Sequence, residues 1–74
     1  MIYYFTSKKD TKCRLMKPII DDLQKQFDIT IMDINEHKTL IKNFEIMSLP
    51  TLSKGERRLS GVKSKETIIQ FLRR

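Results

Sequence analysis

The chain has 74 residues, a net charge of +6, 39% hydrophobic residues and a single cysteine. That length is near the lower limit for an unstapled fold and leaves room for one small core in one domain, residues 1–74. One cysteine excludes an internal disulfide, one histidine leaves no Cys/His cluster for a structural metal, and the four apolar residues behind Met1 are too few for a signal peptide or a membrane span.

The elements follow in order from pattern and punctuation. Ile2 to Thr6 is β-branched and aromatic and reads as a buried strand. Ser7 to Lys9 is a loop, and Asp10 is a good N-cap. Leu15, Met16, Ile19, Ile20, Leu23 and Phe27 share one helical face, which predicts a helix from about Thr11 to Gln26, closed by Asp28. Pro18 lies inside it, with no N–H to offer the carbonyl of Arg14. Ile29 to Ile34 is a second strand. Asn35 is placed to cap a second helix, Glu36 to Phe44, with Leu40, Ile41 and Phe44 inward. Thr51 to Ser53 and Glu56 to Leu59 form a hairpin about a Lys54-Gly55 turn. Ser60-Gly61 breaks the chain, and Ser64 caps a last helix that presents Ile68, Ile69, Phe71 and Leu72 to the sheet. The order βαβαββα predicts an α/β architecture: a four-stranded mixed sheet with helices on both faces.

Among residues able to do chemistry, Cys13 is the only thiol. It stands in "KKDTKCRLMKP", three residues after Asp10 and five before Pro18. Read structurally, it is a small side chain filling space under the first turn of a helix. His37 sits near a helix start and reads as a surface residue. No carboxylate pair and no glycine-rich phosphate loop is present. Tyr3, Tyr4 and Phe5 could suggest a base-stacking platform, but a strand covered on both faces makes them core. Basic residues are spread along the chain, with small clusters at Lys8-Lys9, Arg57-Arg58 and Arg73-Arg74. They read as a solvated basic surface rather than a nucleic-acid site.

The order and several fixed positions resemble the thioredoxin and glutaredoxin family in its minimal form. The stretch "FTSKKDTKCRLMKPI" matches the family's strand end, loop, Cys-x-x-Cys, basic residue and helix proline. Phe5 takes the strand end, Asp10 the first cysteine, Cys13 the second, Arg14 the basic position and Pro18 the helix proline. Placing Cys13 at the first cysteine would put the proline five residues on, whereas Asp10 gives the family's eight. "SLPT" matches the segment before the third strand, and "KGE" and Gly61 match the hairpin and the glycine before the last helix.

The resemblance implies an oxidoreductase ancestor whose attacking thiol is replaced by Asp10, leaving Cys13 as a resolving-position thiol with at most monothiol chemistry. Lys9 stands where thioredoxin has an aromatic, and Tyr4 where it has a buried acid. The resemblance further implies a cis bond at Leu49–Pro50 and a docking groove. That groove would be made of Lys8, Lys9 and Lys12, of Leu49 and Pro50, and of Gly61 and Lys63. Its basic rim suits a protein partner with an acidic peptide, and glutathione is a candidate ligand; no resident cofactor, metal or membrane is implied. A monomer in a reducing, cytoplasmic setting is expected. The alternative is a redox-inactive basic module that binds a protein partner or, as the weaker option, nucleic acid.

Overall fold

The computed structural model describes the backbone of residues 1–74 and every side chain but that of Leu40, so the inward position expected of Leu40 lies outside the described residues. The elements are β1 (Ile2–Thr6), α1 (Thr11–Leu23), β2 (Ile29–Asp33), α2 (Lys38–Asn43), β3 (Thr51–Lys54), β4 (Arg57–Ser60) and α3 (Lys65–Arg73). The sheet runs β2-β1-β3-β4, with β1 parallel to β2 and antiparallel to β3, and β3 antiparallel to β4.

Alternation along β1 divides the core. On one face Tyr4 packs with Met16, Ile20 and Leu23 of α1, Ile29 and Leu52 of the sheet, and Ile68, Phe71 and Leu72 of α3. Leu23 and Ile68 are fully buried there, and each such side chain contributes about 1.5–3 kcal/mol by leaving water. On the other face Tyr3 and Phe5 meet Phe44, which follows α2, with both ring-centre distances at 5.2 Å. Tyr4 and Phe5 are buried and Tyr3 is half-buried.

Several boundaries differ from the pattern reading. α1 stops at Leu23 rather than Gln26, because the chain tightens into i→i−3 hydrogen bonds from Lys25 to Asp22 and from Gln26 to Leu23. Leu15 points outward, 61% exposed. The buried stripe is Cys13, Met16, Ile20 and Leu23, and Leu15 lies about 100° round the helix from Met16. β2 ends one residue early, at Asp33. The Asn35 N–H donates to Asp33 Oδ1 (2.8 Å), so Asn35 closes a turn instead of capping α2, which begins only at Lys38. The hairpin turn is Gly55-Glu56, since Lys54 pairs with Arg57. Gly55, at φ +61°, supplies the left-handed conformation this turn requires.

Register sorts the connections to the two ends of the sheet. Phe5 pairs with Thr51, and Thr51 with Ser60. The loop leaving β1, the segment entering β3 and the segment leaving β4 therefore share one end. Ile2 pairs with Lys54, so the hairpin turn lies at the opposite end.

Candidate functional site

Local hydrogen bonds build the first of these ends. Asp10 has extended backbone angles, and its Oδ1 accepts the Cys13 N–H at 3.0 Å. This satisfies one of the free donors of the first helical turn and sets a negative charge at its positive end. The Arg14 N–H donates to the Asp10 carbonyl (3.1 Å), and the Asp10 N–H to the Ser7 carbonyl (3.2 Å). Arg14 Nε reaches back to the carbonyl of Lys8 at 2.9 Å. The loop is thus closed on itself by its own backbone.

Cys13 sits beneath that turn, 3% exposed, and its Sγ accepts the Ser7 N–H at 3.4 Å. Beside it opens a cleft of about 110 Å³ between α1 and strands β1 and β2. Its walls include Tyr4, Ile20 and Ile31, with Lys8, Arg14, Lys17 and Asp21 around it. Lys17 and Asp21 are paired at 2.9 Å. The Tyr4 hydroxyl, also under α1, is buried with no hydrogen-bond partner. Burial pushes its pKa up to about 12; the Thr6 hydroxyl offsets this in part without reaching hydrogen-bond geometry.

Across Tyr4 and Met16 lie the other expected site residues. The Leu49–Pro50 bond is cis. Pro50 is buried and its carbonyl accepts the Gly61 N–H at 2.8 Å. Gly61 has φ +89°, in the region that favours glycine, and Lys63 Nζ lies 4.0 Å from where its Cβ would stand. Thr51 Oγ1 donates to the Ser48 carbonyl (2.7 Å) and shares a hydrogen bond with Ser60 Oγ. Leu49 is half-buried.

The expected residues therefore fall into two groups. Pro50, Gly61 and Lys63 are brought together, and their contact with Tyr4 and Met16 is closed, with no room for a water. Cys13 and Lys8 line the open cleft on the far side of Tyr4. Lys9 and Lys12 are exposed and line neither. Pattern reading named Arg14 beside the thiol but not Lys17, Asp21 and Ile31. The spacing of Arg14, Lys17 and Asp21, three and four residues apart on α1, was the available signal.

His37 is half-buried at the start of α2, where its carbonyl accepts the Ile41 N–H. Among the described residues no group of three His, Cys, Asp or Glu side chains is placed to hold a metal, and no helix is long and apolar enough to cross a membrane.

With one thiol in the chain, this geometry can present a thiol but cannot form an internal disulfide. No curated protein matches the sequence. Solved structures with the same fold include three that span most of the chain. A point-mutant thioredoxin from Halobacterium salinarum superposes with a TM-score of 0.78 at 18% identity, over 96% of this chain and 69% of that one. Thioredoxin-2, a component of malaria parasite protein secretion machinery, gives 0.79 at 22%, over 97% and 79%. A reduced Schistosoma mansoni thioredoxin pre-protein gives 0.81 at 15%, over 97% and 74%. The family model described as Thioredoxin matches residues 1–74, so the whole of this chain, from the first strand through the Asp10–Cys13 helix start to α3, belongs to the thioredoxin family.

Proposed function

We propose that this chain keeps the docking end of a thioredoxin and has lost the dithiol cycle. One observation carries the reading. The position that the family motif gives to the attacking cysteine holds Asp10, whose carboxylate accepts the Cys13 N–H at 3.0 Å and caps α1. Reducing a disulfide in the family takes two thiols. The first attacks one sulfur of the substrate and forms a mixed disulfide. The second attacks that bond, releases the reduced substrate and leaves an intrachain disulfide. A carboxylate cannot perform the first step. Cys13 alone can go no further than a mixed disulfide, formed when its thiolate attacks a partner's disulfide and the other sulfur of that bond leaves as a thiolate.

Docking is supported by the residues around that end. Half-buried Leu49, next to the Pro50–Gly61 hydrogen bond, is the residue of this end left to meet an extended peptide, and Lys8, Lys9, Lys12 and Lys63 would supply positive charge for an acidic peptide or for the carboxylates of glutathione. The lone thiol fits a reducing, cytoplasmic compartment. A second reading, a redox-inactive binding module, is favoured by the burial of Cys13, which is 3% exposed.

A disulfide-reductase assay on wild type and Asp10→Cys tests the main reading. Wild type is expected at the uncatalysed background, and Asp10→Cys at least about tenfold above it. Wild-type turnover equal to that of a working dithiol would overturn the proposal. Labelling of Cys13 with a thiol reagent separates the two readings: reaction in the folded state at neutral pH supports retained monothiol chemistry, and reaction only on unfolding supports the binding module.

A further inference from the structure

The arginines are distributed unlike the lysines. Ten lysines are scattered from Lys8 to Lys65, but four of the five arginines, Arg57, Arg58, Arg73 and Arg74, lie in the β3–β4 hairpin and at the end of α3. The fold joins these two stretches. Lys54 Nζ donates to the carbonyl of Leu72 and, at 3.0 Å, to that of Arg74. Arg57 Nη1 donates to the Arg74 carbonyl at 2.9 Å, and the Arg57 guanidinium stands 4.6 Å from the centre of the Phe71 ring. Arg58 lies 5.6 Å from the Phe44 ring centre and donates to the Gly55 carbonyl at 2.8 Å.

These contacts order Lys54, Arg57 and Arg58. Ion pairs among the described residues are Lys17–Asp21, Lys25–Asp22 and Lys65–Asp22, and none of these involves Lys54 or the four arginines. In the hairpin and the last residues of the chain, five basic side chains, Lys54, Arg57, Arg58, Arg73 and Arg74, stand with one carboxylate, Glu56. The cluster lies at the end of the sheet away from Cys13.

We propose that this end binds an acidic protein segment in extended form, laid along the outer edge of β4. Three observations support that occupant. β4 is the last strand of the sheet, so its outer row of N–H and C=O groups has no strand partner. Guanidinium groups match carboxylates with two parallel hydrogen bonds, and those of Arg57 and Arg58 are already positioned against rings and carbonyls. The same charges repel a second basic copy of the chain, so the edge discriminates against itself and for an acidic strand. Nucleic acid fits less well. The exposed large apolar side chains among the described residues are Met1, Leu15, Ile31, Met47 and Val62, with no aromatic on which a base could stack. Binding here leaves the Cys13 end free, so its success or failure is independent of the thiol chemistry.

Fluorescence anisotropy with a labelled Glu-Val repeat peptide of about ten residues tests this. A neutral Gln-Val peptide and a single-stranded DNA of similar length are the comparison probes. The acidic peptide is expected to bind saturably at low salt and to weaken as salt rises. Arg57→Gln with Arg58→Gln should weaken it at least about tenfold, and Arg57→Lys with Arg58→Lys about threefold, since charge is kept but the fork is lost. Lys25→Gln with Lys38→Gln, the same change of charge elsewhere, should stay within about twofold. Amide exchange should slow across Arg57–Ser60 on binding. The proposal is overturned by no saturable peptide binding, by DNA binding more tightly than the peptide, or by equal losses in the Gln pairs. Should the arginine-to-glutamine pair not fold, the lysine pair and the exchange map decide by the same criteria.

Discussion

The two faces of the sheet are built to different standards. Against one lie α1, with thirteen residues, and α3, with nine, each opened by a side-chain cap from Asp10 or Ser64 and each contributing at least three buried side chains. Against the other lies α2, six residues long, followed by Phe44 packed on Tyr3 and Phe5. A helix that short gains little from its own hydrogen bonds and depends on what it packs against. The first face carries stability and sets the Cys13 helix start, while the second is held by one aromatic cluster. Local opening is expected to begin at α2.

Substitutions on each face test that contrast. The largest effect is expected at Ile68, fully buried between α3 and the sheet. Ile68→Ala should cost about 3–4 kcal/mol in denaturant unfolding and lower protection throughout the chain. Phe44→Ala should cost about 2 kcal/mol, since Phe44 is half-buried, with the loss of protection confined to the α2 segment. Equal, global losses in both variants would remove the distinction between the faces.

Tyr4→Phe sharpens the account of the stronger face. It removes a buried hydroxyl without a partner, so neutral-pH stability should hold or rise by up to about 1 kcal/mol. The pH dependence is the clearer signature. The folded pKa is raised from 10.0 to about 12, so the neutral phenol's contribution is complete below pH 10 and is lost as pH climbs from 10 through 12. At its upper bound this is about 2.7 kcal/mol. Tyr4→Phe should flatten that part of an alkaline unfolding curve; an unchanged slope would mean that Tyr4 ionises in the folded chain as freely as in the unfolded one.

The smallest effect is expected at Asp22, whose carboxylate accepts from Lys65 and so ties α1 to α3. That hydrogen bond, with the ammonium charge beside it, lowers the Asp22 pKa from 3.8. Its contribution is present above the unfolded value and is lost as pH falls through the folded one. Both groups are half exposed, so Asp22→Asn should leave neutral-pH stability nearly unchanged and show itself only as a shallower acid limb.

Much of the fold could be read from local pattern. β-branched and aromatic strands, the Asp10 and Ser64 caps and the hairpin glycine each act within a few residues, and there the structure follows. The errors arise where a side chain has a competing local use. Asn35 has cap chemistry, but its N–H is taken by Asp33, and α2 starts three residues later. Leu15 is apolar at an apparently inward position, yet the first turn of α1 is covered on a stripe centred on Cys13 and Met16. Including the cysteine as a hydrophobe in the periodicity would have turned the stripe away from Leu15.

The site was legible in part for a similar reason. The Asp10 cap and Cys13 are separated by three residues, and their geometry follows from helix rules. The division of the expected groove on either side of Tyr4 depends on how two loops meet at a sheet end. The gathering of arginines depends on Lys54 reaching Leu72, eighteen residues on. Charge counting sees both stretches but not that they touch.

The Asp10 cap also sets a direction of change. Aspartate is among the best residues at that position, and a residue without a capping oxygen costs about 1 kcal/mol there. An attacking thiol would therefore occupy a place where a carboxylate makes a more stable protein, so reactivity and stability compete for one residue. Asp10→Cys, the variant expected to regain turnover, should melt earlier than wild type. Any replacement of this carboxylate by a thiol runs against stability.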